Sequence, residues 1–263
     1  MNLSDYISTL TQTRNNNTVQ KAENLDYYPL SSAQKRIYYA SSMDNNSTLY
    51  NIAGGIILNK NLDTDKLQKC FDILIQRHVA LRTAFEIKEN EIVQIIKENT
   101  DFKLEIDNSN NIKDAYSNFV KPFDLSIAPL FRAKITKLED EKMLLLIDMH
   151  HIISDGTSLS ILLKELCDLY NDNELVEKQI DYTDFTLWEK EQFESDKFKN
   201  SKEFWVNQFK DEIPLLNMPT INPRPSVQSF EGSNYYAKLS KETFDKIENI
   251  SKELGITPYM LML

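Results

Sequence analysis

The chain has 263 residues, 41% of them hydrophobic and 27% charged, with 40 acidic against 30 basic side chains and a formal net charge of −10. That length and balance fit a globular protein of one large domain or two small ones, and the acidity argues against non-specific binding to nucleic acid. No apolar stretch is long enough to span a bilayer and the N-terminus lacks a signal-peptide pattern, so a cytoplasmic location with no membrane partner is expected.

Residues 1–24 are polar after one short amphipathic piece from Leu3 to Leu10, and Asn15-Asn16-Asn17-Thr18 reads as a flexible linker. A helix starts within Tyr28-Pro29-Leu30-Ser31-Ser32-Ala33-Gln34, where Ser31 or Ser32 can cap the first turn and Ile37 should face the core. A strand is predicted at 52–59. Asp63 or Thr64 then caps a helix with Leu67, Cys70, Phe71, Leu74 and His78 on one face. Strands are predicted near 81–87, 91–97 and 102–106, a helix over 112–121, and a strand over 129–137 opened by Pro129-Leu130-Phe131-Arg132.

Met143-Leu144-Leu145-Leu146-Ile147 is an unbroken apolar run of the kind a strand buried on both faces requires. Beyond it, Leu159, Leu162, Leu163, Leu166 and Tyr170 recur at helical spacing, which predicts a helix from near Gly156. Cys70 and Cys167 both fall on helices, and read as buried free thiols rather than a disulfide. The aromatics of Tyr182-Thr183-Asp184-Phe185-Thr186-Leu187-Trp188 suit packing between helices better than a ligand cage. A further helix is predicted near 196–210. Pro214, Pro219, Pro223 and Pro225 prevent regular structure and mark an extended crossover. A strand at 234–239, a helix at 241–254 and an apolar helix start in Thr257–Leu263 follow.

Two of the three histidines, His150 and His151, sit where the apolar strand gives way to the next helix. A neutral imidazole accepts a proton near neutral pH, which suits general-base work on an amine, hydroxyl or thiol. Adjacent residues at a strand end point in opposite directions, so one of the pair faces a given cavity while the other is packed and hydrogen-bonded. Asp155 can orient an imidazole or pair with a distant cation. Gly156 permits close backbone approach, and amides at the helix start can polarise a carbonyl. The alternative on residues alone is a buried histidine pair in a structural turn, and spacing leaves both open.

His150-His151-x-x-x-Asp155-Gly156 resembles the HHxxxDG signature of the chloramphenicol acetyltransferase-like acyltransferases, and the fuller MHHIISDGTS resembles the condensation domains of nonribosomal peptide synthetases. Other stretches are similar to that family in the same order. These are Ser31-Ser32-Ala33-Gln34-Lys35-Arg36, with Tyr38 where an aromatic is usual, then Arg77-His78-Val79-Ala80-Leu81-Arg82-Thr83-Ala84-Phe85, and Phe123-Asp124-Leu125 with Pro129-Leu130-Phe131-Arg132. Tyr182–Trp188 matches too, with Phe185 in place of tyrosine. Asn2–Ile7 faintly resembles the last helix of a peptidyl carrier protein, against the plainer reading of an N-terminal helix.

The resemblance implies an α/β fold, an α+β two-layer sandwich forming the chloramphenicol acetyltransferase-like half of a V-shaped, pseudo-dimeric condensation domain. Residues 1–24 would be a linker, 25–220 the N-terminal condensation subdomain, and 221–263 the crossover with a truncated start of the C-terminal subdomain. The implied reaction is amide-bond formation between an upstream acyl or peptidyl thioester and a downstream aminoacyl thioester, of the type joining an L-configured donor to an L-configured acceptor. His151 would position or deprotonate the amine, His150 and Asp155 would brace the site, and the amide near Gly156 would help bind the carbonyl. Arg36, Arg77, His78 and Arg82 are taken as structural support, with Arg82 near the channel. No metal or directly bound cofactor is implied, since substrates arrive on the phosphopantetheine arms of carrier proteins. Expected partners are upstream and downstream peptidyl carrier proteins, an adenylation domain and the remaining half of the domain. Exposed apolar residues after Gly232 point to self-association, and the chain alone is expected to be inactive. An epimerisation domain, a recruitment module of the same fold and a free-standing acyltransferase using coenzyme A are the alternatives; heterocyclisation is disfavoured because that subtype replaces the histidines with aspartates.

Overall fold

Apolar alternation, capping residues and prolines divide the chain into fifteen helices and strands, described here for residues 18–58, 62–109, 111–138, 142–214, 219–223, 225–226, 233 and 235–263 of a computed structural model. They are β1 (Tyr28–Pro29), α1 (Ser32–Ser41), β2 (Asn51–Leu58), α2 (Thr64–Arg77), β3 (Thr83–Lys88), β4 (Glu91–Ile96), β5 (Glu105–Asn108), α3 (Ile112–Phe119), β6 (Phe131–Lys137), β7 (Met143–His150), α4 (Gly156–Tyr170), α5 (Tyr182–Glu194), α6 (Asp196–Gln208), α7 (Lys241–Leu254) and α8 (Pro258–Met262), with a 3-10 turn at Val79–Arg82. One compact unit ends at Pro214, and a second, from Leu215 to Leu263, contains α7 and α8.

The larger sheet runs β2-β7-β6-β5, antiparallel except where β5 lies parallel to β6. Its centre is β7, buried at all eight positions. Met143, Leu145, Ile147 and Met149 point one way and join Leu67, Phe71 and Leu74 of α2 and Leu162 and Leu166 of α4 in the main core. Leu144 and Leu146 point the other way, onto Ala115 and Phe119 of α3. Helices thus cover both faces, which is why this strand carries no polar alternation until Asp148. In β2, Gly55 lies so close to β7 that a Cβ there would sit 2.8 Å from Leu146 Cδ2 and 3.1 Å from Leu144 Cδ1.

The smaller sheet, β1-β4-β3, is antiparallel. Leu30, Phe85, Leu130 and Ile152 form a second core that packs it beside the histidine turn. Ser31 caps α1 in a full capping box with Gln34, and Asp63 caps α2 by accepting from Asp65 and Lys66. The mixed architecture with two sheets is the class expected from the sequence.

Four details differ from the sequence-based expectations. The two-residue strand β1 was not anticipated, because two residues carry no periodic pattern. The strand expected at 102–106 lies at 105–108, where it follows β6 in parallel register. Residues 235–239 form no strand; without a neighbouring strand to pair with, alternation alone does not make one. Cys70 is buried, but Cys167 is exposed, since it follows Leu166 by a 100° turn that carries it off the apolar stripe of α4. The Leu3–Leu10 piece and the Asn15–Asn17 linker lie outside the described residues. No helix among the described residues is long and apolar enough to cross a membrane.

Candidate active site

Strand β7 ends by donating its last amide, His150 N–H, to Leu130 O at 3.0 Å, and His151 N–H donates to Tyr50 O at 2.7 Å. The backbone then turns sharply: Ile153 N–H and Ser154 Oγ both donate to His150 O, each at 3.1 Å. Two histidines at consecutive positions are therefore fixed on opposite sides of a closed turn.

His150 faces inward. Its ring lies between Tyr50 and Phe123, with centroids 6.2 and 6.1 Å away, and only 5% of its surface is exposed. Its Nδ1 accepts from Ile152 N–H at 3.1 Å, so the proton of the neutral ring is on Nε2, 3.5 Å from Ser41 Oγ. Burial, helped by neighbouring His151, pushes its pKa down to about 4, which keeps it neutral near pH 7. It braces the turn.

His151 faces outward and is exposed. Its Nδ1 lies 2.9 Å from Ser154 O. A carbonyl can only accept, so Nδ1 carries the hydrogen and the lone pair is left on Nε2. A ring so anchored presents a base at a set position. Nearby, Asp155 Oδ1 accepts from both Ser158 N and Ser158 Oγ at 2.7 Å, and so caps α4. Those bonds hold its carboxyl below the usual range. Gly156 opens α4 with free space where a Cβ would sit.

A cavity of about 290 Å³ opens beside this turn. His151, Asp155 and Ser158 line part of it, α1 contributes Ala33, Gln34 and Ile37, and Val79, Ala80 and Tyr182 are among the other wall residues. Gln34 was expected only as part of a helix start, yet it is buried and central. Its Oε1 accepts from Ser31 N at 3.0 Å while its Nε2 donates to Gln94 Oε1 at 2.9 Å and to Ile152 O at 3.2 Å. The Ser31-x-x-Gln34 spacing was the available signal for half of this role; the partner Gln94, on β4, gave none.

Behind His150, Asp148 is fully buried, accepting from Asn51 Nδ2 at 2.9 Å and pairing with Arg132 at 3.2 Å. Arg132 also stacks 3.7 Å from the centroid of Phe123 and donates to Lys121 O. Burial raises the Asp148 pKa to about 6 against the pull of Arg132 and Asn51. The remaining residues singled out from sequence lie elsewhere. His78 Nε2 meets Glu165 at 2.6 Å and Arg77 Nη2 meets it at 3.2 Å; although burial works against ionisation, these partners hold Glu165 below its usual range. The Arg82 guanidinium donates to Ile75 O, Lys97 O and Gln76 O, tying the end of α2 to β4. Arg36 is exposed on α1. Among the described residues no group of three or more metal-ligating side chains is gathered.

The model of the condensation domain matches residues 24–263, and the chain belongs to that family. It is 41% identical over 263 residues to gramicidin S synthase 2 of Brevibacillus brevis, covering 99% of this chain and 6% of that protein. It is 42% identical over 248 residues to bacitracin synthase 2 of Bacillus licheniformis, covering 93% and 10% respectively. The chain therefore spans a small part of the curated relatives it matches. Among solved structures, the condensation domain of the monacolin K polyketide synthase MokA superposes with a TM-score of 0.77 at 18% identity, over 89% of this chain and 57% of that one. The X-domain in its complex with OxyB from teicoplanin biosynthesis gives 0.78 at 17%, over 91% and 56%. At those identities the likeness speaks to fold alone.

Proposed function

We propose that this chain supplies the histidine-bearing part of a condensation domain that forms an amide bond. The donor is an acyl or peptidyl thioester and the acceptor an aminoacyl thioester, both L-configured and each tethered to the phosphopantetheine arm of a carrier protein. The acceptor amine attacks the donor carbonyl, the C–N bond forms, the C–S bond breaks, and the amine proton ends on the departing thiolate. The observation that carries the reading is His151, which lines the cavity and whose Nδ1 is held by Ser154 O, leaving the Nε2 lone pair without a partner in that bond. A neutral imidazole in that state can accept the amine's hydrogen bond and its proton. Holding both reactants on tethered arms supplies much of the acceleration, since fixed orientation contributes on the order of 7–11 kcal/mol. His150 and Asp155 brace the turn, and Gly156 leaves room for a carbonyl at the start of α4.

Relatedness to gramicidin S synthase 2 and bacitracin synthase 2 supports peptide assembly over epimerisation or passive recruitment, and the intact histidine pair supports a catalytic domain. The test is the complete synthetase containing this domain, with both carriers loaded and products read by mass spectrometry with chiral analysis. His151→Ala should lower amide formation by about 10²-fold or more, with an unchanged thermal midpoint. Wild-type transfer by that variant removes His151 from the chemistry, and an inverted donor centre without a new amide assigns the epimerisation reading.

A further inference from the structure

The cavity beside His151 has an unusual balance of walls. Several of its polar side chains are already engaged within the chain. Gln34 and Gln94 bond to each other, to Ile152 O and to Pro29 O. Thr83 Oγ1 donates to Val79 O, Ser154 Oγ to His150 O and Ser158 Oγ to Asp155, while Tyr182 OH bonds with Ser31 Oγ. What remains to meet a guest is chiefly the apolar surface of Ala33, Ile37, Val79, Ala80, Ile152 and Ile153, together with the His151 imidazole.

A polar guest entering this space would leave water and find few free partners beyond the His151 imidazole, at the usual desolvation cost. An apolar guest loses nothing and gains burial. Size narrows the class further. Apolar cavities of about 150 Å³ accept a benzene-sized guest, so about 290 Å³ admits a large aliphatic or aromatic side chain. It lies at the lower edge of the roughly 300–1,000 Å³ typical of sites for whole small molecules. His151 is itself one of the cavity's lining residues, so a guest seated there lies beside the imidazole.

We infer that this cavity is a side-chain pocket selecting a large apolar residue on one of the two thioester substrates, with Ile37 and Ala80 setting its size. The inference rests on the amide-forming reading for its biological meaning, but the pocket can be tested without turnover. Two sources offer this chemistry: the donor residue and the acceptor residue.

The first experiment uses the 263-residue chain and the N-acetylcysteamine thioesters of leucine, phenylalanine and aspartate, followed by methyl resonances of the cavity alanines and isoleucines. The leucine and phenylalanine thioesters should shift Ala33, Ala80, Ile37 and Ile152 saturably, and the aspartate thioester should not. Ala80→Phe, which fills the space, should abolish the shifts, and Ile37→Ala should restore room for the larger of the two. If Ala80→Phe fails to fold, Ala33→Phe fills the cavity from the exposed side of α1.

The second experiment uses the complete synthetase. One arm varies the donor side chain with a fixed acceptor, and the other varies the acceptor with a fixed donor. In one arm Ala80→Phe should lower kcat/KM for leucine relative to alanine at least tenfold, and Ile37→Ala should move the preference the other way. That arm identifies the source. Saturable methyl shifts in a chain whose synthetase makes no amide would sustain the pocket and overturn the amide-forming reading instead. Equal shifts from the aspartate thioester, or no shifts in the wild-type chain and unchanged preference in both arms, overturns the pocket.

Discussion

Asp148 and His150 lie two residues apart on the same face of β7, and burial drives each towards its neutral form. The consequences for stability have opposite signs. The pKa of His150 falls from 6.5 to about 4, so the unfolded chain binds its proton first and stability is lost as pH falls through that window. The pKa of Asp148 rises from 3.8 to about 6, so stability is lost as pH rises through nearly the same window. At 1.36 kcal/mol per unit each effect is on the order of 3 kcal/mol, and between pH 4 and 6 they nearly cancel. His150→Asn keeps an acceptor for Ile152 N–H and removes one of the two. Relative to wild type, the variant should gain about 3 kcal/mol between pH 6.5 and pH 4 in urea unfolding. Parallel stability curves would rule out burial of His150 as the cause. The pair of histidines was legible from their place at the end of an apolar run. Asp148 was not, because a lone aspartate at the end of that run gives no sign of Arg132 and Asn51, which come from β6 and β2.

At the level of single elements, α4 depends on its first residues. Asp155 caps it through Ser158, and replacing such a cap costs about 1 kcal/mol, so Asp155→Ala should lower the thermal midpoint measurably while leaving β7 in place. Because the Ser158 bonds lower its pKa, this contribution is present above the ordinary carboxylate range and is lost as pH falls through the folded value. Loss of amide formation by Asp155→Ala with no thermal change would instead assign Asp155 a direct chemical role. Most helices were readable because their caps and stripes are local: Ser31, Asp63 and Asp155 all stand one residue before their helices. Strands depend on partners far along the chain. That is why β5 slid three residues from its expected start and why 235–239 never became a strand. The cavity wall shows the same limit, since Gln34 and Gln94 are 60 residues apart and meet only in the folded chain.

Across the whole N-terminal unit, the Arg132–Asp148 pair ties β6 to β7, Asn51 adds β2, and Arg132 holds the 121–123 segment by Lys121 O and the Phe123 ring. Removing one partner of a buried pair costs about 3–5 kcal/mol, because the survivor must either stay charged in an apolar setting or take up a proton to avoid it. Arg132→Met should therefore destabilise strongly, and the double change Arg132→Met with Asp148→Leu should recover much of the loss. A double variant no better than the single one would mean that geometry, and not charge, is what the pair provides.

The complete burial of β7 also bears on time scale. Its amide hydrogens lie in the middle of a sheet with helices on both faces, so they should exchange with solvent only when the whole unit opens. His151 stands one residue past this buried strand. The imidazole is thus mounted on the part least able to breathe, while the cavity walls from α1 and α5 belong to surface helices. Deuterium uptake should be latest at Leu144–Met149 and earlier along α1 and α5, so that the cavity walls move around a stationary His151.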